Sequence, residues 1–286
     1  MLVKTIDILK KAQEGGYAVG AFNVVNLETV QGILEAAREM ESPIIIQITE
    51  KSMDYAGGRM IFEIVKKMVE CYCPKIPVGI HLDHGKSMEI VQRAVEIGFS
   101  SVMYDGSRKE YVDNVRVTKS VVEYCKEKGV AVQGELGNVP YLSEQKAGEI
   151  DWDEYMTDPK QAQDFVKSTG IDALAVAIGN AHDFFKEREV PDWEILDKIR
   201  SLVNVPIILH GASDWDDGKA TEAVKKGVSC FNVDTNTRLA FTNTLSELFK
   251  TDSAGLDPRK YLGAAREAVK ESVKKKIELF GSAGKI

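Results

Sequence analysis

Residues 77–105 read PVGIHLDHGKSMEIVQRAVEIGFSSVMYD. An apolar run, PVGIHLD (77–83), gives way to a helical pattern, MEIVQRAVEIG, which ends in glycine and is followed by a second apolar run, SSVMYD (100–105). This is one strand–helix–strand unit. Working outward, the same kind of run recurs as YAVGAFN (17–23), PIIIQI (43–48), VAVQGEL (130–136), DALAVAI (172–178), VPIILH (205–210) and VSCFNVD (228–234), which makes eight. Between them lie NLETVQGILEAAREM, NVRVTKSVVEYCKEKG, DPKQAQDFVKSTG and DDGKATEAVKKG, several opening on Asn or Asp and closing on Gly as helix caps require. Eight strands, each followed by a helix, predict an α/β protein of the (β/α)8 TIM-barrel type, a single domain over residues 1–286. A doubly wound open sheet is the alternative, and the lack of a G-x-G-x-x-G turn after the first strand argues against it.

Two segments exceed what such a barrel needs. Residues 137–158, GNVPYLSEQKAGEIDWDEYMTD, form a long polar insertion after the fifth strand, of the length found in mobile active-site loops. Residues 252–286 form a C-terminal helical extension, which packs either against a partner subunit or against the barrel's own wall. Composition narrows the function. With 37 basic and 44 acidic residues the net charge is −7, which leaves no basic footprint for nucleic acid or an acidic membrane surface. An anionic substrate would need a local cradle. The four cysteines, Cys71, Cys73, Cys125 and Cys230, follow no metal or disulfide spacing and read as reduced thiols. The first residues form an amphipathic helix without an apolar signal core, and no run approaches 18 apolar residues, so a soluble, cytoplasmic protein is expected.

The chain has four histidines, and all fall near strand ends. His81 and His84 flank Asp83 on the third strand, His182 follows the sixth in AIGNAHDFF, and His210 ends the seventh. Strand C-termini converge on one face of a TIM barrel, so these residues are expected to meet there. Three imidazoles with one open position describe a catalytic zinc site. Side-chain alternation puts His81 on the same side as Asp83 and does not choose between His81 and His84 as the third ligand. Glu135, in QGELG, adds a carboxylate at the same rim, as an alternative metal ligand or a support for one. LHGASD (209–214) and NVDTNTR (232–238) follow the strands whose loops in barrels frequently hold phosphate. Gly211, Ser213, Asn232, Asp234 and Thr235 suit that use, and Gly179 would let backbone approach a ligand.

The ordered set HLDHG, ELG, AIGNAH, LHGAS and NVDTNTRLAF, with the tail DPRKYLGAAREAVKESVKKKIELFGSAGK, resembles the class II, metal-dependent ketose-bisphosphate aldolases over almost the whole chain. This resemblance implies a zinc-dependent aldehyde-lyase, commonly a homodimer or homotetramer. Such an enzyme cleaves fructose 1,6-bisphosphate to dihydroxyacetone phosphate and glyceraldehyde 3-phosphate, or joins them; tagatose bisphosphate or another phosphorylated ketose is the alternative substrate. By motif, it implies that His84, His182 and His210 are the zinc ligands and that Asp83 moves the C4 hydroxyl proton. It further implies that Asn23 contacts substrate and that Asp105 is tied to a second cation. Gly179, Lys186, Gly211, Ser213, Asn232, Asp234 and Thr235 would surround one phosphate, with Na+ or K+ nearby. Arg259 would reach the other phosphate from a neighbouring subunit.

The chain departs from the family pattern after ELG. Pro140 and Tyr141 replace a flexible glycine pair, and Leu142 and Ser143 stand where an acid is expected, which leaves Glu144 as the nearest loop base. Asp183 and Asp214 add negative charge near the phosphate residues, and like charge at close range opposes anion binding. These departures raise the expectation of an altered substrate preference. Two other functions are to be weighed: a two-metal hydrolase, disfavoured because the first strand has no histidine, and a non-catalytic zinc and sugar-phosphate-binding protein.

Overall fold

The computed structural model describes residues 1–140, 152–181, 191–213, 215–251 and 257–286. Its centre is a closed barrel of eight parallel strands in chain order: β1 (Val19–Asn23), β2 (Ile44–Thr49), β3 (Val78–Gly85), β4 (Ser101–Tyr104), β5 (Ala131–Leu136), β6 (Ala173–Val176), β7 (Ile207–Leu209) and β8 (Val228–Val233). Every expected strand is present. Eight helices ring the barrel: α2 (Leu27–Glu39), α4 (Gly58–Tyr72), α5 (Met88–Ile97), α6 (Tyr111–Lys128), α8 (Pro159–Thr169), α9 (Trp193–Leu202), α10 (Asp217–Lys225) and α12 (Pro258–Phe280). Between these lie α3 (Glu50–Ala56), α7 (Trp152–Tyr155) and α11 (Thr235–Thr251). Among the described residues, no helix is long and apolar enough to cross a membrane.

The cap residues do what their chemistry predicts. Asn26 accepts from the Thr29 amide in a reciprocal capping box, and Ser87, Asp158 and Asp216 each accept an amide from the first turn of α5, α8 and α10. The C-terminal tail resolves in favour of the barrel wall. In α12, Tyr261, Ala265, Val269, Val273, Ile277 and Phe280 recur every three or four residues and are buried, the stripe of a helix laid on one surface. That surface is α2 and the outside of the barrel, so α12 is the eighth outer helix. The surplus helix is α11, in which only Thr237 is fully buried.

Apolar packing divides into two bodies. The larger lies between strands and outer helices; the smaller, including Ala21, Ile45, Ala173, Ile208 and Cys230, fills the barrel's lower interior. The helix α1 (Thr5–Gly15) stops the lower end by adding Ile8, Leu9 and Ala12 to that inner cluster. Above it the interior becomes polar. Following the strand register upward, Ala21, His81, Gln133 and Ile208 form a layer, then Gln47, Met103, Ala175 and Asn232, and at the rim Asn23, Asp83, Glu135 and His210. Layers of four from alternate strands are the packing rule of this barrel. Here the rule lifts four hydrogen-bonding side chains to one rim.

On the outer face Phe231 of β8 stacks on Phe280 of α12, with centroids 4.5 Å apart and planes 12° from parallel. Both rings are almost wholly buried. Phe280→Ala is expected to lower unfolding free energy by about 3–5 kcal/mol, read from urea denaturation, whereas Val112→Ala on the exposed face of α6 should change it by less than about 0.5 kcal/mol.

Candidate active site

Strand β3 does not alternate regularly at its end. The pairing with β4 shifts register between Leu82 and Gly85, and His84 takes a left-handed backbone with φ 49°. A non-glycine residue there is uncommon, although histidine enters the region more readily than most. The bulge turns His84 inward beside Asp83, where plain alternation would send it out. Gly85 permits the turn, because a Cβ on it would lie 2.7 Å from the Met103 carbonyl oxygen. His84 therefore reaches the rim, and His81 stays two layers below.

The rim residues form one hydrogen-bonded group. Asn23 Nδ2 donates to Asp83 Oδ2 at 2.8 Å, and Asn232 Nδ2 donates to Asp83 Oδ1 at 3.2 Å, so two amides fix the Asp83 carboxylate. His84 Nε2 and His210 Nδ1 face each other at 2.9 Å with their rings at 86°. Asp83 Oδ1 lies 3.8 Å from His84 Nε2. On its other side, His84 Nδ1 is 2.9 Å from Asp105 Oδ2, whose second oxygen accepts from the Ser107 amide and hydroxyl at 3.2 and 2.7 Å. Glu135 Oε2 lies 4.0 Å from His84 Nδ1 and is buried without a hydrogen-bond partner.

These groups fit a divalent cation. Ligand atoms of Asp83, His84 and His210 fall within 4.8 Å of one another, as do those of His84, Asp105 and Glu135. Facing imidazole nitrogens, with carboxylate oxygens at hand, are the donor set of zinc and its neighbours. Electrostatics point the same way. Burial works against a charge on His84, but Asp83, the Asp105 hydrogen bond and Glu135 outweigh it and raise the His84 pKa to about 10. Against its own burial, Asp105 is held well below the usual carboxylate range by His84 and Ser107. Burial, then the nearby Asp105 charge, pushes Glu135 up to about 8.

His81 answers differently. It is buried, its Nδ1 pairs with Ser101 Oγ at 2.7 Å, and burial lowers its pKa to about 4, so it is a neutral histidine of the barrel interior. Its Nε2, Gln47 Oε1 and Asn232 Oδ1 have no hydrogen-bond partner, and all three residues line a small internal cavity of about 10 Å³, at the threshold for holding one water.

Above the rim opens a cavity of about 670 Å³. Gly211, Ser213, Asp234 and Thr235 form one wall, with Gly211 in a left-handed conformation at φ 59° and α11 starting at Thr235. Asp234 is paired with Arg238 at 2.6 Å. Gly179, at φ 92°, sits just after β6, before Asn180, whose Nδ2 donates to the His210 carbonyl at 2.8 Å. Arg259 is not brought to this cavity: it lies at the start of α12, exposed and paired with Asp257. His182, Lys186 and Glu144, with Asp183 and Asp214, lie outside the described residues. So does half of the expected active-site loop, residues 141–151, although its two ends are joined by Asn138 N to Tyr155 O at 3.0 Å and by the Thr157 hydroxyl to the Leu136 carbonyl. Four supporting residues were not anticipated. Ser107 and Asn180 stand in ordinary turns, and Gln47 and Gln133 were passed over as members of apolar runs; an amide at an inward strand position was the available signal.

Comparison with known proteins agrees with this geometry. The family model described as "Fructose-bisphosphate aldolase class-II" matches residues 3–285. A fructose-bisphosphate aldolase of Thermus caldophilus is 42% identical over 308 aligned residues, covering 100% of both chains. One from Geobacillus stearothermophilus is 40% identical, covering 99% of this chain and 98% of the relative. The crystal structure of the YdjI aldolase from Escherichia coli K12 superposes with a TM-score of 0.87 at 33% identity, covering 100% of this chain and 99% of that one.

The raised pKa values give a pH dependence to protein stripped of divalent ions. A group with a raised folded-state pKa stabilises the fold fully below its ordinary value and loses that contribution as pH rises through the folded one. For His84 the window runs from 6.5 to about 10, and for Glu135 from 4.5 to about 8. The urea midpoint of chelator-treated protein should therefore fall between pH 6.5 and 10, and Asp105→Asn should flatten that slope.

Proposed function

Because the chain belongs to the class II fructose-bisphosphate aldolase family, we propose that it catalyses the reversible aldol cleavage of fructose 1,6-bisphosphate to dihydroxyacetone phosphate and glyceraldehyde 3-phosphate. The observation that carries this reading is one rim where Asp83, held by two amides, meets the facing nitrogens of His84 and His210. Zn2+ suits that donor set. His84, His182 and His210 would hold it, with Glu135 as an alternative ligand and Asp105 at a second cation position. The chemistry that the ion supplies when bound is Lewis-acid withdrawal of electron density from the substrate's carbonyl and hydroxyl oxygens.

The chain's own residues do the rest. Asp83 accepts the C4 hydroxyl proton as the C3–C4 bond breaks; the bonding pair stays with the ketone fragment, and C4 leaves as the aldehyde. Asn23 and Asn232 keep the carboxylate aimed while this happens. A proton delivered to C3 completes dihydroxyacetone phosphate, a role assigned to Glu144. In condensation Asp83 returns its proton to the new hydroxyl. Gly179, Lys186, Gly211, Ser213, Asn232, Asp234 and Thr235 would surround one phosphate, with Na+ or K+ beside it. The left-handed backbone at Gly211 and the amino end of α11 support that placement, since the start of a helix favours an anion. Arg259, exposed at the head of α12, would serve the other phosphate in a neighbouring subunit of a homodimer or homotetramer.

A preference for tagatose bisphosphate or another phosphorylated ketose is not favoured, and neither is a non-catalytic binding role. The family model and both curated relatives carry the fructose-bisphosphate name, and the proton-accepting carboxylate is present and held. Asp83→Ala is expected to reduce cleavage of fructose 1,6-bisphosphate by about 10²–10⁴-fold while the protein still binds zinc, as followed by coupled assay and by metal analysis. A chelator should abolish wild-type turnover and added zinc should restore it. Zinc-loaded protein that leaves fructose 1,6-bisphosphate intact would sink the reading.

A further inference from the structure

Gln133, on β5, is buried below the rim, and its side-chain nitrogen lies 2.9 Å from His210 Nε2. A second polar group near that nitrogen is Asn232 Nδ2, at 3.1 Å, but this atom is also 3.4 Å from His210 Nδ1. An atom at similar distances from both ring nitrogens flanks the ring and is not in line with the proton or lone pair of Nε2. Asn232 is moreover committed to Asp83. Of these two groups, Gln133 is the in-line partner of His210 Nε2.

This pairing bears on which nitrogen of His210 carries the proton. A neutral imidazole has one N–H and one lone pair, and the partner of one nitrogen decides the state of the other. With the Gln133 nitrogen toward Nε2, as placed here, His210 accepts at Nε2 and carries its proton on Nδ1, against His84 Nε2. Nδ1 is then blocked as a ligand. Exchanging the amide oxygen and nitrogen, which have nearly the same shape and are assigned from the network around them, moves the proton to Nε2 and leaves the Nδ1 lone pair facing His84. The nitrogen's remaining neighbour, Met103 Sδ at 3.5 Å, is a weak acceptor that holds the first orientation only loosely. His84 needs no such choice, because Asp105 fixes its proton at Nδ1.

We propose that Gln133 is a positioning residue that sets the tautomer of His210, its side-chain oxygen accepting the Nε2 proton so that Nδ1 is free to bind the divalent cation. The proposal rests on the metal-dependent reading above.

The test is zinc affinity, measured by competition with a chromophoric chelator, for wild type, Gln133→Met and Gln133→Glu. Methionine keeps the length but offers no strong acceptor, and should weaken zinc binding about 10- to 100-fold, the usual effect of removing a metal ligand's hydrogen-bond partner. Glutamate only accepts, and should bind zinc at least as tightly as wild type. A purely structural role predicts that both variants lose affinity alike. In ¹⁵N spectra of zinc-loaded wild type, His210 should show its proton on Nε2. The proposal is overturned if Gln133→Met binds within twofold of wild type, if Gln133→Glu loses tenfold or more, or if the His210 proton is found on Nδ1. Should Gln133→Met fail to fold, the glutamate variant and the spectrum decide. Wild type that binds no zinc would instead remove the metal-dependent reading itself.

Discussion

The left-handed backbone at His84 is the constraint from which the site follows. Strand geometry sends neighbouring side chains to opposite faces, so a regular β3 would offer the interior either Asp83 or His84, not both. The bulge and the positive φ remove that restriction. A carboxylate able to take a proton and an imidazole able to hold a cation then stand on consecutive residues. A non-glycine residue in this region costs about 1–3 kcal/mol and persists only where its surroundings enforce it. Here the enforcement is visible: Asp105 grips His84 Nδ1, and Met103 leaves no room beside Gly85.

A barrel interior is ordinarily filled with branched aliphatic residues. Below the rim this one carries Gln47, His81, Gln133 and Asn232, with Ser101 deeper still. Burying so many polar groups is tolerable only when they satisfy one another, and most do: His81 with Ser101, Gln133 with His210, Asn232 with Asp83 and His210. The return is stiffness. Asp83 and His210 are held by Asn23, Asn232 and Gln133, which project from strands, and His84 by Asp105 one residue beyond β4, so the barrel fixes most of their relative positions. The apolar plug of α1 beneath completes the column and keeps solvent from entering by the lower end.

How far the sequence disclosed this depended on whether a residue obeyed the regular period. The eight strands and the capped helices did, and were legible in order. The choice between His81 and His84 was not, because alternation is the only rule available from spacing and the bulge breaks it. Gln133 was overlooked for the opposite reason. It sits regularly within VAVQGEL, and nothing in the string says that its amide ends against an imidazole 77 residues away. The tail divided evenly between two readings until α2 was seen to cover the stripe of α12, a contact between opposite ends of the chain. Ser107 and Asn180 belong to turns, where a polar residue needs no further explanation until its partner is known.

A chain of net charge −7 must still accept a doubly phosphorylated sugar, and the cavity shows how the conflict is resolved locally. Its described lining contains Lys51, Lys86, Arg108 and Arg238 against Glu50, Asp54, Asp83 and Asp234, so the mouth is close to neutral where the surface as a whole is acidic. One acid on the phosphate wall is already answered, since Arg238 neutralises Asp234. Lys276 of α12 donates to the Ser213 carbonyl at 3.2 Å, placing a further positive charge beside the phosphate wall. A divalent ion on His84 and His210 would tip the balance of the cavity to positive, so the ion and the anionic substrate favour each other. Over the Debye length of about 8 Å at physiological salt, this local balance outweighs the charge of the distant surface.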